Sequence, residues 1–228
     1  MKSQSSVRLM LTGARRGLGK TTISVNLALN YAQMGLKVLL IEEAHSGISE
    51  PAYQERLKEF GIRYFHFSPD SKSAFNLEGG EAEVILFDSW LSPSFSRWEN
   101  LRQFQVLLIV SLPGFYSLIE SYALMKLLYL NLSDCQLALA INRVRQKEDF
   151  FGSIKILKEL SEKYMARDFV WLGTIPEYQW DKQTNKNLPL FIKSPANKFS
   201  KRISGLGREL LGLCLDCAKT FNPKEVAL

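Results

Sequence analysis

Cysteine and histidine are scarce in this chain, three and two among 228 residues. Three cysteines supply no even framework of bridges, which excludes a disulfide-stapled fold and points to a reducing compartment such as the cytosol. His45 and His66 have no companions at metal-ligand spacing, so no dedicated zinc site is expected. Long hydrophobic runs are also missing, since no stretch reaches the roughly 18 apolar residues that a membrane span needs. Met1–Ser6 is short and polar, and the apolar run after it stops at a glycine-rich loop, so no signal peptide is read. Internal repeats and low-complexity linkers are absent, and no Gly-x-Ser-x-Gly elbow gives reason to propose an acyl-transfer triad. The expectation is a soluble cytoplasmic protein.

What is present is apolar. A hydrophobic fraction of 46% against 23% charged excludes a disordered chain. The length suits one large domain able to bury about 70% of its extended surface. A single domain over 1–228 is expected, with 1–6 a flexible start and 219–228 a short tail. The formal net charge is +6 and is uneven: from Asp181 onward nine Lys/Arg face four Asp/Glu. Such a surface attracts nucleic acid, anionic lipid or an acidic partner, or simply solubilises. The charges lack interleaved aromatics, so nucleic acid is not the expected partner.

Short apolar runs alternate with helical segments. Val7–Thr12 reads as a strand, followed by the loop Gly13–Gly19. Thr21–Met34 carries Ile23, Leu27, Tyr31 and Met34 at helical spacing, and Val38–Ile41 is the next buried strand. This opening beta–alpha–beta unit predicts an α/β fold: three layers, with a mostly parallel twisted sheet flanked by helices. Pro51–Phe60 is read as a helix, and Ile62–Phe67, Val84–Phe87 and Leu107–Val110 as strands. Tyr116–Leu130 is read as a helix, Leu137–Ile141 as a strand, Phe151–Tyr164 as a helix and Val170–Gly173 as the last strand. Ala196–Ala218 is a terminal helix weakened by Gly205, Gly207 and Gly212.

The sharpest signal is Ala14-Arg15-Arg16-Gly17-Leu18-Gly19-Lys20-Thr21-Thr22, lying between a strand and a helix. Gly17 and Gly19 let backbone amides turn inward with no Cβ in the way. Those amides, Leu18 among them, and the helix start at Lys20–Thr22 form a cradle for a β-phosphate. Lys20 would bridge the β- and γ-phosphates of ATP, and the Thr21 hydroxyl would ligate Mg2+. Asp88, closing a strand, is the candidate carboxylate for the magnesium and its water shell. Glu42 and Glu43 follow another strand, where one of them orients water or touches magnesium, or either sits in a solvated loop.

These residues resemble the deviant-Walker ATPases of the MinD/ParA group, and most of all the flagellar-number branch, the FlhG/YlxH-type proteins. The resemblance runs from about Val7 to Leu211. The group's loop, Lys-Gly-Gly-x-Gly-Lys-Thr, falls on Arg15 through Thr21. Ser111–Leu118 and Tyr122–Lys126 resemble the flagellar branch's threonine–proline–glutamate stretch and its helix, and Ile141–Val144 and Leu172–Pro176 match later strand ends. The resemblance implies a P-loop NTPase fold in which Asn142, with Arg143 beside it, meets the adenine edge and the loop after Pro176 lines the base pocket. It implies a face-to-face homodimer around two ATP molecules, a signal-recognition-type GTPase or flagellar switch protein as partner, and control of flagellar number and placement. Some members also contact membranes peripherally.

The departures fall on the hydrolytic parts. The signature lysine is replaced by Arg15, whose planar fork does not place a point charge where an ammonium would. Arg16 stands at a glycine position. The Asp-x-Asp after the second strand is here Glu42 and Ala44, and Asp88 is followed by Ser89-Trp90-Leu91 in place of a proline and a glycine. The expected reading is an ATP-binding switch with slow or lost hydrolysis, in which Lys20, Asp88, Arg15 and Glu42 do what catalysis there is. Glu43 or His45 as the water-positioning group is an alternative. A nucleotide-independent scaffold and a ParA-like partition ATPase that binds DNA are the competing functions. Cys214 and Cys217 would share one helix face, as packed thiols or as half of a cluster site. Trp90 is read as either an interface residue or a filler beside a switch loop.

Overall fold

The computed structural model describes residues 6–43, 51–67, 80–89, 98–132, 135–145, 150–165, 167–178, 192 and 194–220. Seven strands form one sheet: β1 (Val7–Thr12), β2 (Val38–Glu43), β3 (Arg63–Phe67), β4 (Val84–Asp88), β5 (Val106–Ser111), β6 (Gln136–Val144) and β7 (Val170–Pro176). Their order is β3-β2-β4-β1-β5-β6-β7, and every neighbouring pair is parallel. The expected mostly parallel sheet is therefore wholly parallel among the described residues. The helices are α1 (Lys20–Gln33), α2 (Pro51–Glu59), α3 (Phe115–Asn131), α4 (Phe151–Met165) and α5 (Lys198–Thr220), with a 3-10 turn at Trp98–Gln103 that sequence periodicity did not reveal.

A parallel sheet covered on both faces needs strands that are apolar on both sides, and the continuous runs of β1, β4, β5 and β6 meet that need. Alternation then deals their residues to two cores. Leu9, Leu11, Val84, Leu86, Val106, Leu108, Ala138 and Ala140 face α1 and α5. Met10, Ile85, Phe87, Leu107, Ile109, Leu137 and Leu139 face α3 and α4. The two alanines of β6 leave room for helices on the first side. This is a three-layer P-loop NTPase architecture.

α1 is buried from Ile23 to Tyr31 because α5 covers its outer side. Gly207 makes that approach possible: a Cβ there would stand 2.8 Å from Asn30 Oδ1 and 3.2 Å from Tyr31 Cε1. The Tyr31 hydroxyl donates to the Gly207 carbonyl at 3.0 Å, and the Asn30 amide donates to Ser204 Oγ at 3.2 Å. The glycines expected to weaken α5 thus include one that seats it. α5 starts at Lys198 and runs to Thr220, two residues into the expected tail; 221–228 and 1–5 lie outside the described residues, the flexible start with them.

Five strands run past their expected ends: β4 and β5 by one residue, β2 by two, and β6 and β7 by three. β2 reaches Glu43 because β3 stays paired with it there, Glu43 opposite Phe67, while Glu42 is in register with both His66 and Asp88. β7 reaches Pro176 across Gly173, whose φ of 84° marks a bulge against β6. The Arg202 guanidinium of α5 donates to the carbonyls of Leu172 and Thr174 there, so the outer strand's free acceptors are satisfied.

Candidate functional site

The C-terminal ends of β1, β2, β4, β5 and β6 converge on one edge of the sheet, where doubly wound folds bind ligands. β1 passes directly into the loop before α1. Gly17 and Gly19 take φ of 77° and 86°, left-handed values that a side chain resists. Gly17 has open space around it, so its backbone can be approached closely from outside. At Gly19 a Cβ would overlap the Asn142 amide. Ala14, at the pattern's first glycine position, packs against the core, so the departure costs the turn nothing.

Lys20 opens α1 and is buried; its ammonium donates to the Arg15 carbonyl at 3.2 Å, across the mouth of the loop. Burial lowers its pKa, while Asp88 and Glu43 pull it back up. Leu18 points into the core and Thr21 and Thr22 stand half-buried behind the loop, so Leu18 can offer a ligand only its backbone. Asn142, at the end of β6, donates its side-chain amide to the Leu18 carbonyl at 2.8 Å. It therefore clasps the loop from the far side of the sheet. Arg143 follows in a left-handed conformation (φ 60°) and points to solvent, and Arg145 pairs with Glu177 just beyond Pro176. Most of the loop after Pro176 lies outside the described residues.

Asp88 is the electrostatic centre. It is 1% exposed, and Leu11 and Glu42 are its partners in register on either side. Burial pushes its carboxyl up to about 6, against the lowering effects of the Thr21 hydroxyl and the Lys20 charge. Asp88 Oδ2 has no hydrogen-bond partner among the described residues, and neither has the buried Thr12 Oγ1 at the end of β1. An unpaired buried carboxylate oxygen is costly. Oxygen donors from Asp88 and Thr21 beside an unfilled acceptor suit a hard divalent cation, so the residues fit Mg2+. The two left-handed glycines and the α1 N-terminus fit a phosphate chain.

Glu42 and Glu43 are not loop residues, as one sequence reading had them. Glu42 is wholly buried on β2, and the Tyr64 hydroxyl of β3 donates to it. Ser89, directly after Asp88, donates its hydroxyl to Glu43. Ser89 stands out in the sequence only as a departure beside Asp88, whereas Tyr64 is a site residue that no motif announced, because it is reached only through strand register. Arg15 meets another such residue: its Nε lies 3.3 Å from Glu120 of α3. Ala44, His45, Trp90 and Leu91 lie outside the described residues. Cys214 is buried under α1 with its thiol pushed up to about 12, and Cys217 is half-buried; neither is in a disulfide, and no metal-holding cluster occurs among the described residues. Packing accounts for Cys214.

No protein-family model matches the sequence, and no curated protein matches it. Solved structures do match its fold. The MinD cell division protein of Aquifex aeolicus is 18% identical, with TM-score 0.65 over 91% of this chain and 98% of that one. The septum site-determining protein MinD of Pyrococcus horikoshii, complexed with Mg-ADP, is 17% identical, with TM-score 0.59 over 94% and 99%. The pNOB8 ParA bound to nonspecific DNA is 18% identical, with TM-score 0.63 over 92% and 99%.

Proposed function

We propose that this chain is a MinD/ParA-like switch protein that binds ATP with Mg2+ and turns it over slowly. The observation that carries the reading is Asp88: a buried carboxylate with one unpartnered oxygen, set beside Thr21 and Lys20 at the foot of a glycine-turned loop. In this reading the amides of Gly17–Thr22 hold the phosphates, and Lys20 leaves the Arg15 carbonyl to meet them. Thr21 and Asp88 hold the Mg2+, which supplies charge neutralisation at the phosphate oxygens. Asn142 positions the loop through Leu18 and, with Arg143 and Pro176, borders the base. Slow turnover is supported by Glu42, whose carboxylate is engaged by Tyr64 within the sheet, and by Arg15, which is engaged by Glu120.

The switch function extends to an ATP-dependent homodimer and to flagellar number and placement with a GTPase or switch-complex partner. The supporting feature is the resemblance of the Ser111–Lys126 segment. Calorimetry with ATP and ADP, with and without magnesium, tests the core of the proposal. Micromolar, magnesium-dependent ATP binding that Lys20→Ala abolishes is expected; no binding by the intact chain would leave the scaffold reading in its place. A changed flagellar count on deleting the gene in a flagellated host is expected of the finer assignment, and an unchanged count refutes it.

A partition-type reading has its own support, a fold neighbour captured on nonspecific DNA together with the exposed Lys198, Lys201 and Arg208 of α5. Nucleic acid, set aside on composition, is thereby a second candidate partner. Binding to duplex DNA that weakens steeply between low and physiological salt would support it, and no binding at low salt would dismiss it.

A further inference from the structure

α3 buries Ser117, Leu118, Ser121, Leu124, Met125 and Leu128 against the sheet, as an outer-layer helix should. Its opposite face is apolar as well. Phe115 and Tyr116 are 73% and 83% exposed, Ile119 46% and Leu130 76%, with Ala123 exposed between them. The two aromatic rings stand edge to face, 6.0 Å apart, on the solvent side. These side chains offer roughly 500 Å2 of contiguous apolar surface, a size that marks an interaction site rather than scattered exposure. Only two charges flank the stripe, Glu120 and Lys126.

We propose that this face is the contact between two copies of the chain, with their α3 helices packed antiparallel about a twofold axis through Ala123. The spacing argues for a second copy. Glu120 and Lys126 each lie three residues from Ala123, so the twofold sets Glu120 level with Lys126 of the second copy, twice over. Tyr116 and Leu130 each lie seven residues from it, two helical turns, so the aromatic ring covers the other copy's leucine at both ends. Alanine at the crossing point lets the two backbones approach closely. Two copies together remove about 1,000 Å2 from water, the size at which a specific interface begins. This contact needs no nucleotide to form. It touches the phosphate loop at one point, because Glu120 also holds Arg15.

The test is sedimentation velocity of the full chain without nucleotide, from about 1 to 200 μM. A monomer–dimer equilibrium is expected, unchanged in Lys20→Ala. Leu130→Asp should abolish it while circular dichroism and thermal midpoint stay those of the parent, since the residue is exposed. Glu120→Lys alone should weaken association at least tenfold by facing lysine with lysine. The exchange Glu120→Lys/Lys126→Glu should restore it. Ala123→Cys under mild diamide oxidation should give a covalent dimer that the parent chain does not. A monomer throughout the range overturns the proposal, as does a dimer indifferent to Leu130→Asp or one the charge exchange fails to restore.

Discussion

Replacing Asp88 by asparagine should make the ligand-free protein more stable and the nucleotide site useless. Asp88 titrates at about 6 instead of an ordinary 3.8, and burial is the chief cause. A carboxyl raised in this way binds its proton more tightly in the folded chain than in the unfolded one. The resulting penalty is absent near pH 3, where both states are protonated. It grows as pH rises from 3.8 to 6 and is complete above that. At pH 7.5 the shift corresponds to about 3 kcal/mol, and at pH 5 to about half of it. Asparagine escapes the penalty, although its buried amide lacks an assured acceptor and loses about 1–2 kcal/mol for that. The net expectation is a gain of about 1–2 kcal/mol at pH 7.5, or roughly 0.5 M in urea midpoint. The gain should shrink by about 1 kcal/mol on going to pH 5, a difference in which titrating groups distant from the site cancel. Urea titrations of both proteins at the two pH values, with calorimetry for Mg-ATP, make the measurement. A stability difference that does not change with pH would refute the electrostatic account of Asp88, whatever happens to binding.

Gly207→Ala should lower stability by about 1–3 kcal/mol, since the new Cβ meets Asn30 and Tyr31 between two packed helices; thermal melting reads it directly. Gly212→Ala, with nothing within 4 Å, should raise it by about 0.5–1 kcal/mol through helix propensity alone, which makes it the matched control. Tyr64→Phe withdraws a donor from the buried Glu42 and should cost about 1–2 kcal/mol in a urea titration, with no change if the hydroxyl contributes nothing.

The strand–loop–helix opening was legible because each part carries its own mark: a continuous apolar run, glycines where a chain must turn, and an apolar stripe on α1. Asp88 was legible as the polar end of a buried strand. The status of Glu42 and Glu43 was not. Two consecutive carboxylates read as the start of a loop, and only pairing, on both flanks of Glu42 and on one of Glu43, with hydroxyls from Tyr64 and Ser89, allows them inside a sheet. Asn142 was tied to the site by resemblance alone, and its clasp on Leu18 depends on β6 lying two strands from β1. Gly207 read as a helix breaker because periodicity describes one helix at a time and not the helix stacked upon it. The 3-10 turn at Trp98–Gln103 has no period long enough to detect.

The place of β1 at the centre of the sheet has a consequence for synthesis. The first strand made is hydrogen-bonded to the fourth and fifth, so its two edges stay open until residues near Asp88 and Ser111 have emerged. At about 5–20 residues per second that wait is of the order of 5–20 s, an interval in which Val7–Thr12 offers apolar edges to anything nearby. The phosphate loop waits longer still, since the donor that fixes its Leu18 carbonyl arrives only with Asn142. Nascent chains that stop short of Asn142 should therefore depend on chaperones and hold no nucleotide, so that ligand capture follows the pairing of β6 rather than preceding it.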